Sequence, residues 1–297
     1  MTQENLTWQS KLVLLAVLPV AGVDVLLAGV HFADQAPPAA IWTLGLSAVL
    51  GLVTWKLRAA TPAAAATGAL INASLMFSTI TGSHYDPGHY DPWRTALSPI
   101  LAVFVLAFAA TRAGRRKKEL LGMAEGRHGR SASQVAANLG VAALVATQPV
   151  QFWLLDARWL PRHTAAQTPL FALAVAALAE AAADTTASEI GQVLGGRPRM
   201  ITSFRQVEPG RNGAISLPGT LAGALAAAIV AAIGTVALGG DWVFFNISCG
   251  SAVFGLFFDS LLGATLEKSG WLNNDAVNFL STAGASGAAL ALLAFLG

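Results

Sequence analysis

Four acidic residues, Asp24, Glu180, Asp184 and Asp259, stand inside long apolar runs where water is scarce. An ionised carboxylate at membrane depth costs roughly 2.5–3.5 kcal/mol on insertion scales, and no Lys or Arg lies mid-run to pair with these. Such groups must protonate, face a water-filled cavity or bind cations. Their spacing is informative. Glu180, Asp184 and Ser188 follow at i, i+4 and i+8, one face of a helix, and Asp259, Gly263 and Glu267 repeat that interval. Glu189 sits at a helix end. In NNDAVNF, Asn274 and Asn278 share a face, with Asp275 beside them. Carboxylates and amide oxygens are hard ligands suited to Mg²⁺, which typically takes one or two carboxylates plus phosphate oxygens. Arg, Lys and backbone N–H groups suit the phosphates themselves. Two polar, basic segments, 114–133 and 191–216, adjoin the acids. The combination predicts a magnesium–phosphate site at the inner membrane surface.

Plainer readings compete for several of these residues. The run Arg115-Arg116-Lys117-Lys118 also reads as a topology anchor, and Glu180 as a residue that snorkels toward a helix end. Asp24 stands alone and reads as a helix-packing hydrogen bond. Glycines in GRPR and PGRNG read as turns. The tandem His84-Tyr85-Asp86-Pro87 and His89-Tyr90-Asp91-Pro92 carries two His and two Asp that could hold a transition metal, but Asp-Pro and Pro-Gly are ordinary turn chemistry, and a Pro-broken outer loop is favoured. Cys249 reads as a packing residue. Neither a Walker A motif, GxSxG nor HExxH occurs. Nucleic-acid binding is not expected, because the basic residues flank apolar runs and lack interleaved aromatics.

The elements that must position these residues are membrane helices. Of 297 residues, 55% are hydrophobic and 11% charged, with a mean hydropathy of +0.58. Soluble domains carry about 25% charged residues, so a water-soluble enzyme is excluded, as are disordered, collagenous and coiled-coil chains. One cysteine forms no internal disulfide. A spanning helix needs about 20 mostly apolar residues. Nine segments are candidates: 11–31, 39–57, 61–82, 94–113, 134–155, 168–190, 217–238, 242–266 and 276–296. With the N-terminus cytoplasmic, 15 of the 18 basic residues fall inside and only Arg94, Arg158 and Arg162 outside, as the positive-inside rule requires. The opening residues lack a basic n-region, so no cleaved signal peptide is expected. The fold expected is an all-α polytopic membrane helix bundle of about nine transmembrane helices, with 1–297 as a single domain. The Ala-rich spans suggest a bacterial inner membrane.

Four blocks then carry a resemblance. ATRAGRRKKELLGMAEGRHGRSASQVAANLGVAA, the stretch Ala183–Gly191, GGRPRMITSFRQVEPGRNGAISLPGTLAG and FFDSLLGATLEKSGWLNNDAVNF follow in an order that resembles the DUF92 family of integral membrane proteins. The resemblance is strong over 112–285. That family includes the plant and cyanobacterial phytyl-phosphate kinases and is similar, more distantly, to membrane CTP-dependent prenol kinases and phosphatidate cytidylyltransferase. What the resemblance implies is phosphoryl transfer from a nucleoside triphosphate, CTP above all, to an isoprenoid monophosphate. Asp184 and Asp259 would hold Mg²⁺, with Glu189 a further ligand. Arg199, Arg205 and Arg211 would bind phosphates, helped by the backbone of Asn212 and Gly213. Asn274, Asp275 and Asn278 would close the site. Lys117, Lys118, Arg127 and Arg130 would draw anionic headgroups or nucleotide to its entrance, with Asn138 beneath. Thr186 stands where that family's block carries Trp, which bears on pocket shape. The expected partners are an isoprenoid phosphate, a nucleoside triphosphate and membrane lipids. The alternatives are a lipid cytidylyltransferase, or an ion-coupled transporter or flippase using the intramembrane acids.

Overall fold

The computed structural model of this chain describes residues 7–80, 85–86, 89–120, 129–156 and 167–296. Among these residues the architecture is a helix bundle with two minimal hairpins. In chain order the helices are α1 (Thr7–Gln35), α2 (Pro37–Lys56), α3 (Pro62–Ser78), α4 (Leu97–Arg112), α5 (Arg115–Leu120), α6 (Ala132–Ala146), α7 (Gln148–Asp156), α8 (Gln167–Leu194), α9 (Leu217–Leu238), α10 (Trp242–Leu262) and α11 (Asn274–Leu296). Strands β1 (Tyr85–Asp86) and β2 (His89–Tyr90) pair antiparallel, as do β3 (Arg199–Met200) and β4 (Ala214–Ile215).

The core is α8. Of its most apolar window 89% is buried, against 17% for α1. It packs against α4, α6, α9, α10 and α11. Its sequence explains this position: eight alanines between Ala172 and Ala183 leave a thin surface, so neighbouring backbones come close. Gly223 of α9 comes so near that a methyl group on it would lie 2.8 Å from the Ala183 carbonyl oxygen. By contrast, α1 and α2 present Leu15, Leu26, Leu27, Val30, Ile41 and Leu52 outward, as lipid-facing helices do.

Every segment expected to span is helical, but the count of nine is not reached by length. Among the described residues, six helices are long and apolar enough to cross a membrane. A seventh arises if α6 and α7, bent by 55° at Thr147, form one broken span. The helices α3 and α4 have 17 and 16 residues, about 24–26 Å at 1.5 Å per residue against a core of about 30 Å. They are short because the turn between them is built in: the Thr79 hydroxyl donates to the Leu75 carbonyl (2.7 Å) and accepts from the Ala96 N–H (2.9 Å).

Buried polar groups knit the bundle. The Asp24 carboxylate of α1 accepts from Ser74 (2.6 Å) and Ser78 (3.1 Å) of α3, which gives this lone acid the packing role its isolation suggested. Asn72 donates to Ser47 of α2 (2.8 Å). At the other end, Ser10 of α1 donates to Asp275 (2.6 Å), while Gln9 donates to the Trp271 carbonyl and accepts from the Asn273 N–H, each at 2.8 Å. The Asn273 side chain caps α11 by accepting from Ala276 N–H (2.9 Å).

Candidate active site

Two cavities open beside α8, separated by the helix itself. The first, about 260 Å³, lies between α8, α9, α10, the start of α11 and the β3–β4 segment. Asp184 and Ser188 of α8 line it, as do Asp259, Ser260 and Glu267. Opposite them stand Arg211, Asn212 and Gly213, and Asn274 and Asn278 of α11 close one side. The Asp184 and Asp259 carboxyl groups lie within hydrogen-bonding reach of each other. Beneath them Glu180 is fully buried, and Oε1 of Glu180 and Oδ2 of Asp259 have no protein partner.

Local folding explains the arrangement. After Asp259, α10 widens into a π-helical turn, Gly263–Glu267, in which Lys268 N–H donates to the Gly263 carbonyl (3.2 Å). Eight residues of α-helix would drift Glu267 about 80° from Asp259, and the wider turn brings it back to the same cavity. Such turns are frequent at functional sites. The β3–β4 segment lies on this turn. Gly213 has φ +75°, and a methyl group there would stand 2.4 Å from the Ala264 backbone nitrogen. Only glycine meets both demands.

The second cavity, about 570 Å³, lies between α2, α3, α4 and α6 on the other side of α8. Its wall is mostly apolar, with Thr54, Thr111 and Asn138 among the lining residues, and Arg58, Arg112, Arg115, Lys118 and Arg130 also line it. Arg58 has φ +57°, costly for a side chain of this size. A short bridge holds it there: Arg130 N–H donates to the Ala59 carbonyl and Thr61 N–H to the Arg130 carbonyl, both at 3.0 Å. Arg130 also donates to Thr185 of α8 (3.1 Å) and acts electrostatically on Asp184. It therefore lines the second cavity while its charge is felt by Asp184 of the first.

The residues expected to act together thus separate. Asp184, Asp259, Arg211, Asn212, Gly213, Asn274 and Asn278 meet in the polar cavity. Lys118, Arg130 and Asn138 line the apolar one. Glu189 does not join the aspartates: it lies on the neighbouring stripe of α8 and accepts from Lys118 at 2.5 Å. Lys118 also donates to the carbonyls of Ala110 (3.2 Å) and Thr111 (2.8 Å), which occupies all three ammonium protons. Lys117 is exposed and donates to the Val193 carbonyl. Arg199 donates to the Phe204 carbonyl (2.8 Å), and neither it nor the exposed Arg205 lines the cavity. Asp275 is tied to Ser10, and Asn138 donates to its own helix at Gln134. Arg127 and His84 lie outside the described residues.

Among the described residues no group of three or more His, Cys, Asp or Glu is poised to hold a metal. Two aspartates, one with an orphaned buried oxygen, suit instead a cation that completes its shell with phosphate and water, as Mg²⁺ does. In the HYDP tandem, Tyr90 exchanges a hydrogen bond with Thr43 (2.9 Å), and burial pushes its phenol above the ordinary value. Asp91 caps the next turn by accepting from Trp93 N–H (3.0 Å). The pattern is that of a closed hairpin.

Comparison with known families decides the lineage. The family model described as integral membrane protein DUF92 matches residues 45–286. The chain belongs to the DUF92 family. Its DUF92 relatives include an uncharacterized membrane protein of Methanocaldococcus jannaschii, 40% identical over 36% of this chain and 45% of that protein. Another, of Synechocystis, is 34% identical over 64% of this chain and 70% of its own length. Protein VTE6, chloroplastic, of Arabidopsis thaliana is 34% identical over 61% of this chain and 54% of its own length. The chain thus spans about half the length of the archaeal and plant proteins. No solved structure matches it. Membership and the apolar helices together make it a multi-pass membrane protein.

Proposed function

We propose that this DUF92 protein transfers the γ-phosphoryl group of a nucleoside triphosphate, CTP by family resemblance, to an isoprenoid monophosphate at the cytoplasmic membrane face. The observation that carries the reading is the polar cavity, in which two intramembrane aspartates face a glycine-containing loop that carries Arg211. In phosphoryl transfer the protein mainly positions groups and neutralises charge, and this cavity contains groups of both kinds.

The chemistry is simple to balance. An oxygen of the acceptor's phosphate attacks the γ-phosphorus, and the bond from that phosphorus to the β-bridging oxygen breaks. Its electron pair leaves with CDP, and the lipid becomes a diphosphate. The acceptor's second pKa is about 6, so it reaches the site largely ionised and no strong base is required. Arg211 and the Asn212–Gly213 backbone would bind the triphosphate, with Asn274 and Asn278 closing over it. Asp184 and Asp259 would hold Mg²⁺, which when bound supplies charge neutralisation at the phosphates. Arg130 would stand beside the group in transit.

Purified protein in detergent, given Mg²⁺, phytyl monophosphate and CTP labelled separately at the α and γ phosphorus, tests this. Label from the γ position in the lipid is expected. Label from the α position would make the protein a cytidylyltransferase. No label from CTP, ATP, GTP or UTP in any prenyl phosphate would overturn the reading and favour ion-coupled transport.

A further inference from the structure

We infer that α1 is a working part of the polar cavity: through Gln9 and Ser10 it sets the rotation of α11 that turns Asn274 and Asn278 into that cavity. Ser10 and Asp275 are then positioning residues of the candidate site. This deepens the phosphotransferase reading, on which the roles of the two asparagines rest. The family model begins at residue 45, so Gln9 and Ser10 lie outside it, while the residues they hold lie within it.

The connection into α11 is short and bound from two sides. On one side it is tied to the π-helical turn that it leaves. Gly270 N–H donates to the Glu267 carbonyl and Trp271 N–H to the Leu266 carbonyl, each at 2.9 Å. On the other side stands α1. The Gln9 carboxamide donates to the Trp271 carbonyl and accepts from the Asn273 N–H, so one side chain meets two main-chain groups as a neighbouring strand would. A carboxamide carries both donor and acceptor, and Gln9 is buried. An apolar residue at this position would leave both main-chain groups unmet, a costly state away from water.

Ser10 acts one step further along. Its hydroxyl donates to Oδ2 of Asp275 (2.6 Å) and accepts from Nδ2 of Asn273 (3.1 Å). Asn273 is also the residue whose Oδ1 caps α11 at the Ala276 N–H, so Ser10 orients the cap as well as the first turn. Asp275 is buried in that turn and does not line the cavity. Successive helical residues stand about 100° apart. Asp275 therefore faces α1 while Asn274 and, one turn on, Asn278 face the cavity. A hold on Asp275 fixes the rotation of α11 about its axis, and a turn by one residue would take both asparagines off the cavity. Much of α1 otherwise faces lipid, and its polar residues Gln9 and Ser10 are directed at α11 and the turn before it.

The test reads geometry first and turnover second. In a Cys249→Ala background, Asn278→Cys and Ser260→Cys report from the α11 and α10 walls of the same cavity, and each is labelled with N-ethylmaleimide in detergent. Adding Ser10→Ala is expected to speed labelling of Asn278→Cys at least about threefold and to leave Ser260→Cys as it was. Ser10→Thr, which keeps the hydroxyl, is expected to give the parent rate. In the parent sequence, Ser10→Ala is expected to raise the KM for CTP about fivefold, with kcat and the KM for lipid changed little and with recovery in Ser10→Thr. Gln9→Ala is a second variant, expected to act in the same direction. Asp275→Asn keeps the accepting oxygen without the charge and is expected to fall between Ser10→Ala and the parent.

A larger loss in Asp275→Asn than in Ser10→Ala would make the charge the working feature and overturn the positioning role. So would parent-like labelling of Asn278→Cys with both Ser10→Ala and Gln9→Ala, or an equal change at Ser260→Cys, which would mark general loosening. If labelling changes as expected and the parent transfers label from no nucleotide, the positioning role stands and the phosphotransferase reading falls. If the parent transfers label and Ser10→Ala leaves the KM for CTP unchanged, the phosphotransferase reading stands and the positioning role falls.

Discussion

Asp259 keeps one carboxylate oxygen buried without a protein partner, and an unmet buried acceptor costs roughly 1–3 kcal/mol, more when charged. That cost is the ground on which we propose both aspartates as ligands of a bound cation. Asp184→Asn and Asp259→Asn should each lower kcat by at least about 100-fold, with the same gel-filtration profile as the parent; near-normal turnover of both would remove them from the site. Lys118 and Glu189 carry a different consequence. They are a closed pair, with the lysine 1% exposed, and removing one partner of a buried pair strands the other. Lys118→Met should cost about 3 kcal/mol, read as a lower unfolding temperature in detergent, and Lys118→Met with Glu189→Gln should recover part of the loss. An unchanged unfolding temperature in the single variant would show the pair to be dispensable.

At the scale of elements, the β3–β4 segment and the π-helical turn behave as one unit joined at Gly213. Gly213→Ala forces a side chain into the left-handed region, about 1–2 kcal/mol, and into the Ala264 backbone. The segment should lift, and the KM for nucleotide should rise several-fold with little change in the KM for lipid. Equal effects on both constants would show that the loop serves no single substrate. The polar cavity was legible in the sequence because its residues are charged or amidic and recur at helical intervals: Asp184 with Ser188, Asp259 with Glu267, Asn274 with Asn278. The apolar cavity was not legible. A void has no residue pattern, and alanines read as packing. The α8 stripe of Ala181, Thr185 and Glu189 was overshadowed by its acidic neighbour. Arg58 is brought near Arg130 by the backbone bridge at Ala60, across some 70 residues of chain. Lys118 and Glu189 looked like free charges because their partners are tertiary. The short helices α3 and α4 were read too long because apolar composition continues past the hydrogen bonds that end them.

At the scale of the molecule, the sidedness of the basic residues makes an orientation testable. In a Cys249→Ala background, Arg205→Cys should react with a membrane-impermeant maleimide only in inside-out vesicles. Trp93→Cys, at an exposed site, should react from outside intact cells. The opposite pattern would invert the protein and put both cavities on the outer face. The bundle also joins its first described helix to its last through Gln9, Ser10, Asn273 and Asp275, residues about 265 positions apart. A ribosome adds about 5–20 residues per second, so α1 enters the membrane roughly 13–50 s before Asp275 exists. During that interval Ser10 must satisfy its hydroxyl with water or lipid headgroups, while α1 packs on α2, α3 and α6 as these arrive. The late arrival of α11 is then the clasp that ends assembly, and a nascent chain halted before residue 271 should expose Ser10 to solvent while α1 through α10 are already inserted.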